Sequence, residues 1–197
     1  MEAMLSTIIK GYDSSSNKNL FTGLIPDTVT SIYFTDIKMP SDATLIDVDE
    51  DSDGGVVAWL DTSDNTKMYV STQYKGVKVE GNINSSNMFL SVYKLTSLDL
   101  SNWDTSNVTD MRSMFSDCSS LTSLNVYNWD TSNVKDMRNM FDNCSKLTSI
   151  KVGNKFKWNT TLYYLELSGT WQDKTGKQYT SSNTFPSNVA HTYTKVS

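Results

Sequence analysis

Residues 95–120, LTSLDLSNWDTSNVTDMRSMFSDCSS, align without a gap to residues 121–146, LTSLNVYNWDTSNVKDMRNMFDNCSK, with 18 of 26 positions identical. Self-similarity at a fixed period of this length restricts a chain to stacked, repeating units, because one unit cannot bury its apolar side alone. The landmarks agree: Leu95 with Leu121, Trp103 with Trp129, and Cys118 with Cys144. A third copy opens at Leu147 with LTSIKV and then fails, since Lys155 stands where tryptophan should recur. Upstream, Val77, Val79, Ile83, Met88 and Phe89 read as a shortened copy without the NWDTSN loop.

Within a copy, Leu95, Leu98 and Leu100 follow an L-x-x-L-x-L opening, expected as a short strand with its leucines inward. Asp104, Thr105, Ser106 and Asn107 make a turn-like cluster, and the spacing of Val108, Met111, Met114 and Phe115 predicts a helical or 3-10 turn. The expected fold class is therefore α/β: a short right-handed leucine-rich-repeat solenoid over 71–157. A mostly β N-terminal module (1–70, with TSIYFTDI and VVAWLD) and a C-terminal β cap (158–197, with LYYLELSGTWQD and HTYTKV) flank it.

The repeat text WDTSNVTDMRSMF resembles the BspA-like leucine-rich-repeat surface proteins of gut and oral bacteria, over residues 77 to 153. DVDEDSDGGVVAWLDTSDNTKMYVSTQ is similar to the region that precedes such repeats. The resemblance implies a right-handed solenoid, display at the bacterial cell surface or secretion, and binding to a host protein, a glycan or another cell. The chain departs from the wider pattern in placing Trp103 and Trp129 where Asn or Cys usually follows the strand, and Thr105 where Leu is usual.

Composition narrows the classes further. A net charge of −5 argues against polyanionic partners such as nucleic acid or anionic membrane surfaces. No run approaches the roughly 18–20 apolar residues that span a bilayer, so a soluble chain without membrane insertion is expected. The opening MEAMLSTIIK lacks the basic region of a secretory signal. Either a signal has been removed, or the protein leaves its cell without one, as phage tail proteins do on lysis. A tail or virion-associated structural or receptor-binding protein is accordingly the alternative function, and a rigid spacer in a longer polypeptide is the third.

No convergent catalytic set is visible: the one histidine, His191, has no partner motif, and Asp104 and Asp130 recur as turn residues. A non-enzymatic protein with no cofactor and no metal is expected. Asp49, Asp51 and Asp53 with Gly54 match the start of an EF-hand loop, but the twelfth position is Leu60, so a solvated acidic turn is preferred. Thr175-Gly176-Lys177 fails as a phosphate loop because Trp171 and Gln178 stand where glycine and Ser or Thr belong.

Trp103 and Trp129 read either as an exposed pair for sugar stacking or, preferably, as rings packed on the turn below. Cys118 and Cys144 read as buried thiols rather than a disulfide, because stacked side chains run parallel. The binding residues expected on the outward side of the strands are Asp99, Asn125 and Lys151, a column that changes charge from copy to copy, and Tyr127, a single aromatic anchor.

Overall fold

The computed structural model describes residues 5–159, 166–180 and 185–196. The LYYL part of the expected C-terminal cap lies outside them. Among the described residues fourteen short strands follow in chain order: β1 (Tyr12–Asp13), β2 (Lys18–Asn19), β3 (Ser31–Thr35), β4 (Ile46–Asp47), β5 (Val57–Leu60), β6 (Lys67–Ser71) and β7 (Val79–Glu80), then β8 (Ser97–Asp99), β9 (Trp103–Asp104), β10 (Ser123–Val126), β11 (Ser149–Val152), β12 (Trp171–Gln172), β13 (Gln178–Tyr179) and β14 (His191–Lys195). They form two five-stranded sheets, ordered β4-β5-β6-β3-β8 and β10-β11-β14-β12-β13, and two small pairs, β1-β2 and β7-β9. Among the described residues no helix is long and apolar enough to cross a membrane.

The α/β leucine-rich-repeat solenoid expected from the sequence is not formed. The described residues contain no α-helix, only a 3-10 turn at Thr22–Leu24. Nor do the repeat strands build one ladder: β8 pairs in parallel with β3, whereas β10 pairs in parallel with β11 and belongs to the other sheet.

The segment read as a helical turn fails to become one for a local reason. Ser113 and Asp117 have φ of 51° and 62°, and their equivalents Asn139 and Asn143 both have 55°. A left-handed residue every fourth position breaks the run of right-handed dihedrals that a helix needs, and Asn, Asp and Ser are among the side chains that tolerate it. The freed N–H groups bond across copies instead: Met111 N to Asp136 O (2.9 Å), Ser113 N to Arg138 O (2.8 Å), Phe115 N to Met140 O (3.0 Å) and Asp117 N to Asp142 O (2.8 Å). The upstream segment repeats the pattern, with Asn87 N on Arg112 O and Phe89 N on Met114 O. The copies therefore stack in register on this side while their strands separate into two sheets on the other.

The core is a column of rings running through the stack. Phe89, Phe115 and Phe141 lie nearly parallel with centroids 5.4 and 5.9 Å apart, and Trp103 meets Trp129 edge to face at 5.1 Å. Both tryptophans are buried, which removes the exposed sugar-stacking pair and leaves the packing role. Gly81 is required beside them, because a Cβ there would come within 2.6 Å of the Val108 side chain and 3.1 Å of the Asp104 carbonyl. In the shortened upstream copy Val79, Met88 and Phe89 are buried, but Ile83 and Val77 are exposed and contribute no core.

Two threonines stitch adjacent copies. Thr105 Oγ1 donates to Asp130 O and accepts from Asp130 N, both at 3.0 Å; Thr131 does the same with Lys157, at 3.0 and 2.6 Å. Cys118 and Cys144 are free and buried, each thiol donating to the carbonyl of the preceding copy, Phe89 O at 3.1 Å and Phe115 O at 3.0 Å. Burial raises both thiols, Cys144 to about 12 and Cys118 further, so neither is a thiolate near neutral pH.

Candidate functional site

Strand pairing lines up a row of residues on one face of each sheet, and the two rows meet at the cleft between the edge strands β8 and β10. Trp59 on β5 is the register partner of Tyr69 on β6, Tyr69 of Tyr33 on β3, and Tyr33 of Asp99 on β8. In the second sheet Asn125 on β10 pairs with Lys151 on β11, and Lys151 with Thr192 on β14. Register partners share a face, because side chains alternate along a strand. The expected column is thus divided between the sheets, Asp99 ending the first row and Asn125 and Lys151 lying in the second, and the two together make the outer row.

The row is aromatic at its first-sheet end. The Trp59 and Tyr69 rings stack at 5.5 Å with an 18° interplanar angle, and Tyr69 and Tyr33 at 5.2 Å and 23°. Trp59 is buried and backs the stack, while Tyr69 and Tyr33 are half-buried with outward edges. Burial raises the Tyr69 hydroxyl above the ordinary phenol range, with the Asp61 carboxylate adding to it, so the group stays a neutral donor. These three residues lie outside the repeat and were missed in the sequence reading. The alternation in TSIYFTDI and KMYVS, which places Tyr33 and Tyr69 opposite the buried Ile32, Phe34, Met68 and Val70, was the signal available.

Tyr127 follows β10 and is 48% exposed, the Lys151 ammonium sitting 5.0 Å from its ring centre. This cation-over-ring contact fixes both side chains at modest gain on an exposed surface, about 0.5–1 kcal/mol. A shallow cleft of about 250 Å³ opens where β8 and β10 part, bringing Asp99, Asn125 and Tyr127 together. A second cleft of about 300 Å³, walled by Tyr33, Tyr69 and Asp36, joins it through the shared Asp99 and Ser101. Lys151 reaches the first cleft only through its contact with Tyr127.

Asp99 and Asn125 also serve the chain itself: Asp99 Oδ1 accepts from Ser101 N at 2.9 Å and Asn125 Oδ1 from Tyr127 N at 3.2 Å. These turn caps hold each side chain upright at the strand end while other acceptor positions stay available. The arrangement suits a ligand laid along the surface, with flat apolar edges, hydroxyl or amide groups, and contact with both a carboxylate and an ammonium.

On the opposite side of the copies, Asp110 pairs with Arg112 at 2.9 Å, and Asp136 with Arg138 at 2.7 Å and Arg112 at 3.5 Å. Arg138 lowers the Asp136 carboxyl against the opposing effect of burial. Charges of both signs neutralise one another there, and the ladder reads as stitching between copies. His191 lies on β14 with its ring 5.6 Å from Tyr193.

The acidic loop departs from the expected solvated turn at one residue. Asp51 and Asp53 are exposed, but Asp49 is fully buried. Its Oδ2 accepts from Gly54 N and Gly55 N, both at 3.0 Å. Desolvation and the adjoining Asp53 carboxylate raise the Asp49 carboxyl to about 6.

No curated protein and no solved structure matches this chain. A family model described as "Mycoplasma protein of unknown function, DUF285" matches residues 61–167, which take in β6 to β11 and both full copies of the repeat. That match spans more than half of the 197 residues, and the chain belongs to the DUF285 family.

Proposed function

We propose that this protein is a non-enzymatic interaction or adhesion module, displayed outside the cell, that binds a glycan or a host surface protein through the outer row. The observation that carries the reading is the convergence of Tyr33, Tyr69, Asp99, Asn125 and Tyr127 on two joined clefts. Aromatic edges offer a large contact area with little conformational freedom to lose, and the polar groups between them supply orientation. The likeness of the WDTSNV repeats to BspA-like surface proteins supports the same reading, including its extracellular setting.

The clefts are small and open, about 250 and 300 Å³, no larger than the lower end of the roughly 300–1,000 Å³ usual for an enclosed small-molecule site, which favours an extended or polymeric ligand. The test is a screen of the full chain against a glycan array and immobilised extracellular matrix proteins, beside an Asp99→Ala, Tyr127→Ala, Lys151→Ala triple variant. A hit that falls at least about tenfold in the folded variant supports the reading, as expected when a central aromatic anchor is removed. A folded wild type that binds nothing, or a hit untouched by the variant, refutes it and returns the chain to a spacer or virion component.

A further inference from the structure

The acidic loop shares no residue with the outer row. Two left-handed residues, Ser52 at φ 60° and Gly54 at φ 87°, curl it so that the carboxylates of Asp49, Asp51 and Asp53 face one another. One oxygen from each lies within 4.8 Å of the others. The neighbouring contacts account for much of the loop: Lys10 Nζ donates to Asp47 Oδ1 at 3.0 Å and to the Asp49 carbonyl at 2.6 Å, and Ser6 N donates to Asp53 Oδ2 at 2.9 Å. They leave one group unexplained. Asp49 Oδ1, in a side chain with no exposed surface, has no hydrogen-bond partner.

A buried carboxylate oxygen without a donor costs free energy that a folded chain rarely leaves uncompensated. Lys10, whose ammonium enters the loop, does not close this gap, because it is committed to Asp47 Oδ1 and to the Asp47 and Asp49 carbonyls. We propose that the loop binds a divalent cation of calcium's size through Asp49, Asp51 and Asp53. The donors are all hard oxygens, which suit Ca²⁺ or Mg²⁺ and disfavour softer ions. Three carboxylates plus water give the flexible oxygen shell that Ca²⁺ accepts, whereas Mg²⁺ demands a near-ideal octahedron and keeps most of its water. With Leu60 at the twelfth position, the bidentate glutamate of an EF-hand is missing, so the site is an open one with an affinity of about 10⁻⁴–10⁻³ M, the range of extracellular modules.

The ion would fasten two segments. Asp53 holds Ser6, Glu50 N donates to Ile8 O, and Lys10 N to Val48 O, while Ile9 N and Thr7 O bond Glu80 on β7. Filling the loop therefore tightens the N-terminal segment against the strand beside the first full copy.

The experiment is thermal unfolding of the full chain near pH 7.5 in EDTA, in about 10 mM CaCl₂ and in about 10 mM MgCl₂ at matched ionic strength, with calorimetric titration of CaCl₂. The expected result is a midpoint about 4–8 °C higher in calcium, with a clearly smaller rise in magnesium. Asp51→Asn, an exposed change, should keep the EDTA midpoint of the wild type and lose most of the calcium shift. Asp49→Asn disturbs the Gly54 and Gly55 contacts and serves only as a second check. No calcium shift in the folded wild type, equal shifts from both ions, or a shift retained in Asp51→Asn would overturn the site; a proton shared between Asp49 and Asp53 would then be what satisfies Oδ1.

Discussion

The two sides of the repeat pair obey opposite rules. Facing inward, the copies are nearly the same: Phe115 and Phe141, Trp103 and Trp129, Thr105 and Thr131, Cys118 and Cys144 recur, and among the buried apolar positions only Leu100 changes, to Val126. Facing outward, Asp99 becomes Asn125 and then Lys151, and Ser101 becomes Tyr127. Stacked rings and shared hydroxyls must match the copy above and below, so any change inside has to be answered by a neighbour. The outer row meets solvent, and each position can differ at little cost to the fold. Identity marks what holds the molecule together, and variety marks where it can recognise something else.

That contrast is broken first by cutting inside. Phe115 touches Phe89, Phe141 and Trp129, and Phe115→Ala should destabilise the chain by about 3–5 kcal/mol through lost burial and a cavity. Urea unfolding measures it, and a cost below about 1 kcal/mol would mean that the ring column is not the structural spine. Thr131→Val comes next. It keeps the shape but strips the hydroxyl that both donates to Lys157 O and accepts from Lys157 N, an expected loss of about 1–3 kcal/mol.

The acidic loop sharpens the comparison through pH. Asp49 is raised to about 6 in the fold against about 3.9 unfolded, so the folded state holds the proton more tightly. Its contribution to stability is full below about pH 4 and is lost as pH rises through about 6. Asp13 and Asp64 act in the opposite sense, since hydrogen bonds, led by those from Ser16 and Thr66 respectively, hold both at about 2. The comparison is therefore made against Asp49→Asn in EDTA: between pH 4 and 7 the wild type should lose stability relative to the variant, and parallel pH profiles would contradict the assignment. The smallest effect is expected outside, where Tyr127→Ala should change stability by no more than about 0.5–1 kcal/mol.

Much of this was legible because the period of 26 put equivalent residues in columns. The inward positions of Leu95, Leu98, Leu100, Met111, Met114 and Phe115 followed from it, and all are buried. The helix did not follow. Apolar spacing resembles a helical stripe whether or not backbone hydrogen bonds run along the chain, and no glycine flags the left-handed turns at Ser113 and Asp117. The division of the strands between two sheets was equally hidden, since it depends on β3 pairing with β8 across more than sixty residues. The same long-range pairing brings Tyr33 and Tyr69 beside Asp99, which is why half of the candidate row was out of reach of a method that compares copies.

The most direct test of the central claim is amide hydrogen exchange on the full chain with and without a ligand found by the binding screen. Binding along the outer row predicts slowed exchange within 31–35, 67–71, 97–101 and 123–129, with the opposite side at 110–117 and 136–143 unchanged. Protection confined to that opposite side, or to the N-terminal segment, would contradict the account and move recognition away from the variable row.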